Sequence, residues 1–183
     1  MILWAAENDR KRYRVDSSAR HAIHPAKFIS EGELQSVSIS ARSLSHVGIA
    51  VPDLDAAMRL FRERFGVEIK GPYENAAQKV RLAYVELSNA KVELIAPLGP
   101  DSPLRRFLER HPQGGLHHLA LGVADANAAA DAARADNVRI LGNGAPAPGH
   151  HGRPLFFLDP KAVLGVLTEI EQEPRDDDPP ASH

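Results

Sequence analysis

One passage of this chain occurs twice, and that duplication limits its possible folds more than any other feature. HVGIAVPDLDAA begins at His46 and HLALGVADANAA begins at His118. Each copy is followed by a short apolar run carrying an acid, KVELI around Glu93 and LTEIE around Glu169. The histidines stand 72 positions apart and the acids 76. A duplicated module that repeats one His and one Glu can bring four metal-binding side chains to a pseudo-twofold centre.

The local patterning of the two copies agrees. His46–Val51 alternates as a strand does, with His46, Gly48 and Ala50 on one face and Val47, Ile49 and Val51 on the other. A helix follows, with Asp53 as N-cap, an apolar stripe of Leu54, Met58, Phe61 and Phe65, and Gly66 as its stop. Val80–Leu87 and Ala90–Ala96 read as strands joined at Ser88-Asn89. In the second copy, Leu116–Val123 reads as a strand and Asp125 caps an Ala-rich helix ending near Asn137. Val138–Leu141, Pro154–Leu158 and Gly165–Glu171 read as its remaining strands, and Asp101-Ser102-Pro103 opens a linker helix carrying Leu104, Phe107 and Leu108.

These elements predict an α+β fold in which two paired βαβββ modules, residues 43–98 and 114–172 with a linker helix over 101–111, form a cupped mixed β-sheet. In both first strands the large apolar side chains face the helix, and the other face carries His with only small residues. That is the pattern of a strand lining a cavity. Residues 1–42 lie outside the repeat and read as a poorly ordered extension, and 173–183 (EPRDDDPPASH) as a disordered acidic tail.

Composition removes several function classes. The net charge of −2 offers no basic field for nucleic acid. The absence of Cys rules out disulfides, thiolate metal sites and a Cys nucleophile. No run approaches the ~20 apolar residues that span a bilayer. The first residues become charged too early for a secretory signal, and Asp9 and Asp16 argue against a mitochondrial presequence. A cytoplasmic protein is expected. The stretch GNGAPAPGHHG from Gly142 lacks the GK[ST] ending and following helix of a phosphate loop, and no GxSxG is present.

The repeated side chains form a nitrogen and oxygen donor set: His46, Glu93, His118 and Glu169. Such a set suits one divalent ion (Co, Mn, Ni, Fe or Zn) and leaves positions for substrate oxygens. Strand parity selects His118 over His117, because only His118 matches His46 in register and shares a face with Ala120 and Gly122. His117 is expected to be a hydrogen-bonded neighbour.

The stretch Leu44–Gln172, about 129 of 183 residues, resembles the methylmalonyl-coenzyme A epimerases of the vicinal oxygen chelate (glyoxalase) superfamily. The motifs that carry the resemblance are SHVGIAVPDLDAA, KVELIAPLGPDSPLRRFLER, GGLHHLALGV, HHGRPLFFLDPK and GVLTEIEQ. It implies a homodimer acting on an acyl-CoA, with a divalent metal at the positions of His46, Glu93, His118 and Glu169. The activity implied is transfer of the C2 proton of methylmalonyl-CoA or a similar malonyl-type thioester, the cation stabilising the enolate and Glu169 doubling as base. Some family members carry at the position of Leu82 a Glu that looks like a second proton-transfer group. Here AQKVRLAY places Leu82 there and keeps Gln78, so the second acid is open among Glu74, Glu93 and water. Asp159 stands where the family has His, His150 where a small residue is usual, and Arg153 and Lys161 are cations for coenzyme A phosphates or plain surface charges. A glyoxalase-type lyase or dioxygenase on the same scaffold, and a non-catalytic small-molecule binding module, are the competing readings.

Overall fold

The computed structural model describes residues 39–150 and 152–174. Most of the expected extension, the end of the acidic tail and His151 therefore lie outside the described residues. An eight-stranded mixed sheet is built from β1 (Ala41–Ala50), β2 (Glu68–Asn75), β3 (Val80–Glu86), β4 (Lys91–Pro97), β5 (Gly115–Val123), β6 (Ala147–Pro148), β7 (Pro154–Leu158) and β8 (Thr168–Gln172). Among the described residues, three α-helices, α1 (Leu54–Phe65), α2 (Leu104–Arg110) and α3 (Ala126–Ala135), complete an α+β fold. The strand order β2-β3-β4-β1-β5-β8-β7-β6 reads as two halves mirrored about the β1/β5 seam.

Local chemistry sets the helix ends. Asp53 accepts from the Ala56 N–H at 2.9 Å, and Gly66 (φ 63°) returns its N–H to the Arg62 carbonyl at 3.1 Å. Asp125 accepts from Asn127 and Ala128 at 2.8 and 3.1 Å. Leu54 and Met58 of α1 bury against Val51, Val85 and Leu94, with Ile49 of β1 and Phe61 at the margin of the cluster. Phe65, expected in that stripe, is instead 63% exposed. The inward face of α3 is alanine alone (Ala126, Ala129, Ala130 and Ala133), packed against Phe156, Leu158 and Ile170. A third cluster joins Leu104 of α2 to Ala50, Val80, Leu82 and Ile95.

Several boundaries differ from the sequence reading. β1 begins at Ala41, ahead of position 43, and the Glu173 N–H donates to the Val123 carbonyl beyond position 172. Val138–Leu141 makes only a single bridge, Ile140 to Leu158, because Gly142 and Gly144 turn the chain at positive φ (73° and 78°). β6 is correspondingly two residues long. β8 starts at Thr168, since Leu164 and Gly165 (φ 59° and 82°) form a turn before it. β2 runs through Gly71-Pro72, a pair that reads as a strand breaker; it is an edge strand, where a missing N–H is tolerated, with a register shift between Lys70 and Tyr73.

The central pairings position the site. β1 and β5 run antiparallel with His46 opposite Ala120 and Gly48 opposite His118. β1 runs parallel to β4 with Gly48 opposite Glu93, and β5 parallel to β8 with Ala120 opposite Glu169. In each half the acid therefore lies beside the residue two places after the histidine.

Candidate active site

The burial of His46, Gly48 and Ala50 in alternation shows that the His face of β1 points inward. His118 lies across the seam, over Gly48, and a Cβ at Gly48 would stand 2.1 Å from the His118 ring. Glycine is required there for space, which lets the two imidazoles meet. Nε2 of His46 and Nε2 of His118 are 3.1 Å apart. Oε2 of Glu93 lies 3.6 Å from the first and 3.5 Å from the second. Oε2 of Glu169 is 3.6 Å from His118 Nε2. His46, Glu93 and His118 place their ligand atoms all within 4.8 Å of one another, and Glu169 joins them from the His118 side. All four are buried and all four line one cavity of about 570 Å³.

Burial perturbs each of these groups. Glu93 is pushed up to about 7, chiefly by desolvation; a hydrogen bond from Tyr84 opposes the shift and the Glu171 charge adds to it. Glu169 is raised well above the usual carboxyl range by burial and then by the charges of Glu93 and Glu171. His118 is lowered to about 3 by burial, then by His46 and His117. His46 is lowered by burial, against the pull of Glu171. Two imidazoles that resist protonation and two carboxyls that resist ionisation make a site short of positive charge.

These residues fit a divalent ion. Ligand atoms held about 2.0–2.2 Å from one centre stand roughly 3–3.6 Å from each other, the spacing seen among His46, Glu93 and His118 and between His118 and Glu169. The set also has borderline-to-hard donors in one buried place.

Neighbouring groups support the cluster. Tyr84, the cross-strand partner of Glu93, hydrogen-bonds to it, and its ring meets His46 edge-on at 6.3 Å. His117 Nδ1 lies 3.0 Å from His118 Nδ1, the adjacent-partner role expected of it. Glu171 also lines the cavity and was missed in the sequence. The signal was available: it sits two residues after Glu169, hence on the same face of β8.

Other expected residues fall elsewhere. Glu74 is exposed beside Arg81 and does not line this cavity. Leu82, 1% exposed, is sealed into the cluster with Leu104 and Ile95. Gln78, His150 and Arg153 line the cavity, and the Arg153 Nε donates to the Gln172 carbonyl at 3.1 Å. Lys161 is exposed. Among the described residues, no helix is long and apolar enough to cross a membrane.

Residues 45–157 match the family described as the glyoxalase/bleomycin resistance protein/dioxygenase superfamily. The chain is 44% identical over 129 residues to the ethylmalonyl-CoA/methylmalonyl-CoA epimerase of Cereibacter sphaeroides, covering 70% of this chain and 96% of that one. It is 39% identical over 129 residues to the human mitochondrial methylmalonyl-CoA epimerase, covering 70% and 73%. A solved variant of the Streptomyces coelicolor methylmalonyl-CoA epimerase, in complex with 2-nitronate-propionyl-CoA, is 34% identical. It superposes with a TM-score of 0.66 over 73% of this chain and 99% of that one.

Proposed function

Because the chain belongs to the glyoxalase/bleomycin resistance protein/dioxygenase superfamily, and within it to the methylmalonyl-CoA epimerases, we propose that it is a metal-dependent isomerase acting on the C2 proton of methylmalonyl-CoA or a similar malonyl-type thioester. The observation that carries this reading is the meeting of one His and one Glu from each half in a single buried cavity.

His46, Glu93, His118 and Glu169 would hold one divalent ion (Co, Mn, Ni, Fe or Zn). A cation bound there supplies Lewis acidity, placing positive charge where the negative charge of an enolate accumulates. Glu169 takes the C2 proton; its carboxylate lines the cavity beside His118, and burial raises its affinity for protons. Return of a proton to the opposite face inverts the centre. Of the acids considered for that step, Glu93 lines the cavity, whereas Glu74 does not. The walls include the apolar Ile95, Leu155 and Phe157, which lower the polarity around the buried charges and so strengthen their interactions. Arg153 and Lys79 are cations on the cavity wall, and Arg153 is suited to an anionic group of an acyl-CoA.

The protein is further read as a cytoplasmic homodimer. Leu44 and Leu116, on the two central strands, are 50% and 63% exposed and support an assembled state.

Proton–deuterium exchange at C2 of methylmalonyl-CoA in D₂O tests the activity. Metal-loaded protein should catalyse exchange together with loss of optical purity. Metal-loaded protein that leaves C2 protonated would overturn the epimerase reading, and conversion of a hemithioacetal in its place would indicate a glyoxalase-type lyase.

A further inference from the structure

Ser45 precedes His46 on β1, so in a regular strand its side chain would lie on the opposite face. The pairing with β5 is not regular at that point. Leu44 stands opposite Leu121 and His46 opposite Ala120, which leaves Ser45 as an extra residue on β1. Such a bulge re-aims a side chain. The Ser45 hydroxyl lies 3.1 Å from His46 Nδ1, on the side of the imidazole away from the metal-binding cluster. The same hydroxyl donates a hydrogen bond to Oε1 of Glu171, 126 positions along the chain.

A hydroxyl has one hydrogen. If Ser45 donates it to Glu171, its contact with His46 Nδ1 can only be as acceptor. Nδ1 must then carry the imidazole proton, and Nε2 presents its lone pair to Glu93 and His118. We infer that Ser45 and Glu171 are a positioning pair: through the bulge at Ser45 they lock His46 in its Nδ1–H tautomer, with Nε2 aimed at a divalent cation. This rests on the metal reading given above and adds to it the residues that orient one ligand. No hydrogen bond or ion pair joins either residue to the cluster's shared nitrogen and oxygen atoms; Ser45 acts through the imidazole, and Glu171 acts through Ser45 and also through its charge on His46, Glu93 and Glu169. An outer hydrogen-bond partner of this kind typically changes metal affinity about 10–100-fold. The second half achieves its orientation differently, through the Nδ1–Nδ1 contact of His117 and His118.

The test is a Co²⁺ titration of chelator-stripped protein, read from the visible d–d spectrum and from competition with a chromophoric chelator. Ser45→Ala should bind Co²⁺ about 10–100-fold more weakly than the unsubstituted protein and shift its spectrum. Ser45→Thr, which keeps the hydroxyl, should restore both. Glu171→Ala should weaken binding further, because it also removes a negative charge beside the cluster, and the double variant should be little weaker than Glu171→Ala alone, because without Glu171 the Ser45 hydroxyl no longer fixes the ring. Unchanged affinity and spectrum in a folded Ser45→Ala, or fully additive losses, would overturn the inference. ¹⁵N shifts of His46 in the metal-free protein decide independently of whether Ser45→Ala folds. An Nδ1–H ring in the unsubstituted protein, losing that preference in Glu171→Ala, is the expected result; an Nε2–H ring overturns the pair alone. Unsubstituted protein that takes up no Co²⁺ overturns the metal reading itself, and this inference with it.

Discussion

The two halves of the sheet differ most where they contribute least to the site. Their inner strands are nearly superimposable in pattern: His46, Gly48 and Glu93 in one half correspond to His118, Ala120 and Glu169 in the other. Outward from there they diverge. The first half closes with β2 and β3, eight and seven residues long, whereas β6, the matching edge of the second, has two. α1 buries Leu54 and Met58, while α3 buries only alanines. The site needs one His strand and one Glu strand from each module, and outer elements that merely cover those strands are free to shorten. One inner difference remains: Gly48 against Ala120. Space for the His118 ring exists only because position 48 has no side chain.

The sharpest way to break the equivalence is to remove one carboxylate from each half. Glu169→Gln should lower kcat about 10²–10⁴-fold, the range for loss of a general base. Glu93→Gln should weaken metal affinity and, on saturation with metal, lower kcat less than Glu169→Gln, because water can replace Glu93 as the donor that returns the proton. Equal kcat losses at saturating metal would contradict the assignment of the base to Glu169. Glu173→Gln is the internal control: it lies outside the cavity, held by the Ser43 hydroxyl at 2.6 Å, and activity should be close to normal.

The seam offers the next test. Gly48→Ala should displace the His118 ring and reduce divalent-metal affinity about 10–100-fold, as loss of ligand orientation does. Ala120→Gly, its counterpart, should keep metal affinity and reduce stability by about 0.5–1 kcal/mol. Calorimetric metal titration and thermal melts separate the two. Similar metal affinities in both variants would show that the halves do not differ at this position.

The last test concerns pH. Metal-free, Glu93 holds its proton up to about 7, above its ordinary range, so this group destabilises the metal-free fold progressively as pH rises from about 4.5 to about 7. Glu169 shifts in the same direction. A cation that binds the carboxylates displaces those protons, so metal affinity should increase with pH over this window, by up to about tenfold per pH unit for each proton released. His118, lowered to about 3, is already neutral there and releases none. The gain in Tm on adding metal should therefore be larger at pH 7.5 than at pH 5.5. A flat or falling gain would show that Glu93 and Glu169 do not lose protons on binding.

The duplicated passage, the cap residues Asp53 and Asp125, and the alternation around His46 and His118 are local signals. They were enough to predict paired βαβββ modules, and parity alone separated His118 from His117. Edges were less legible. The strand β2 was not read from the sequence: its Gly-Pro is tolerated because it lies on an edge strand, whereas the glycines after Leu141 end pairing. Glu171 was overlooked because a strand carboxylate reads as solvated until the cavity beside it is seen.

What the amino-acid order determined by itself is the repeat, its periodicity, and hence which faces of which strands carry His and Glu. What only the tertiary structure decided is their meeting: the antiparallel seam that sets His118 over Gly48, the bulge that turns Ser45 toward His46, and the burial that displaces the protonation of Glu93. Strand periodicity is encoded residue by residue, whereas register between distant strands, and the desolvation that follows, depend on packing summed over the whole sheet.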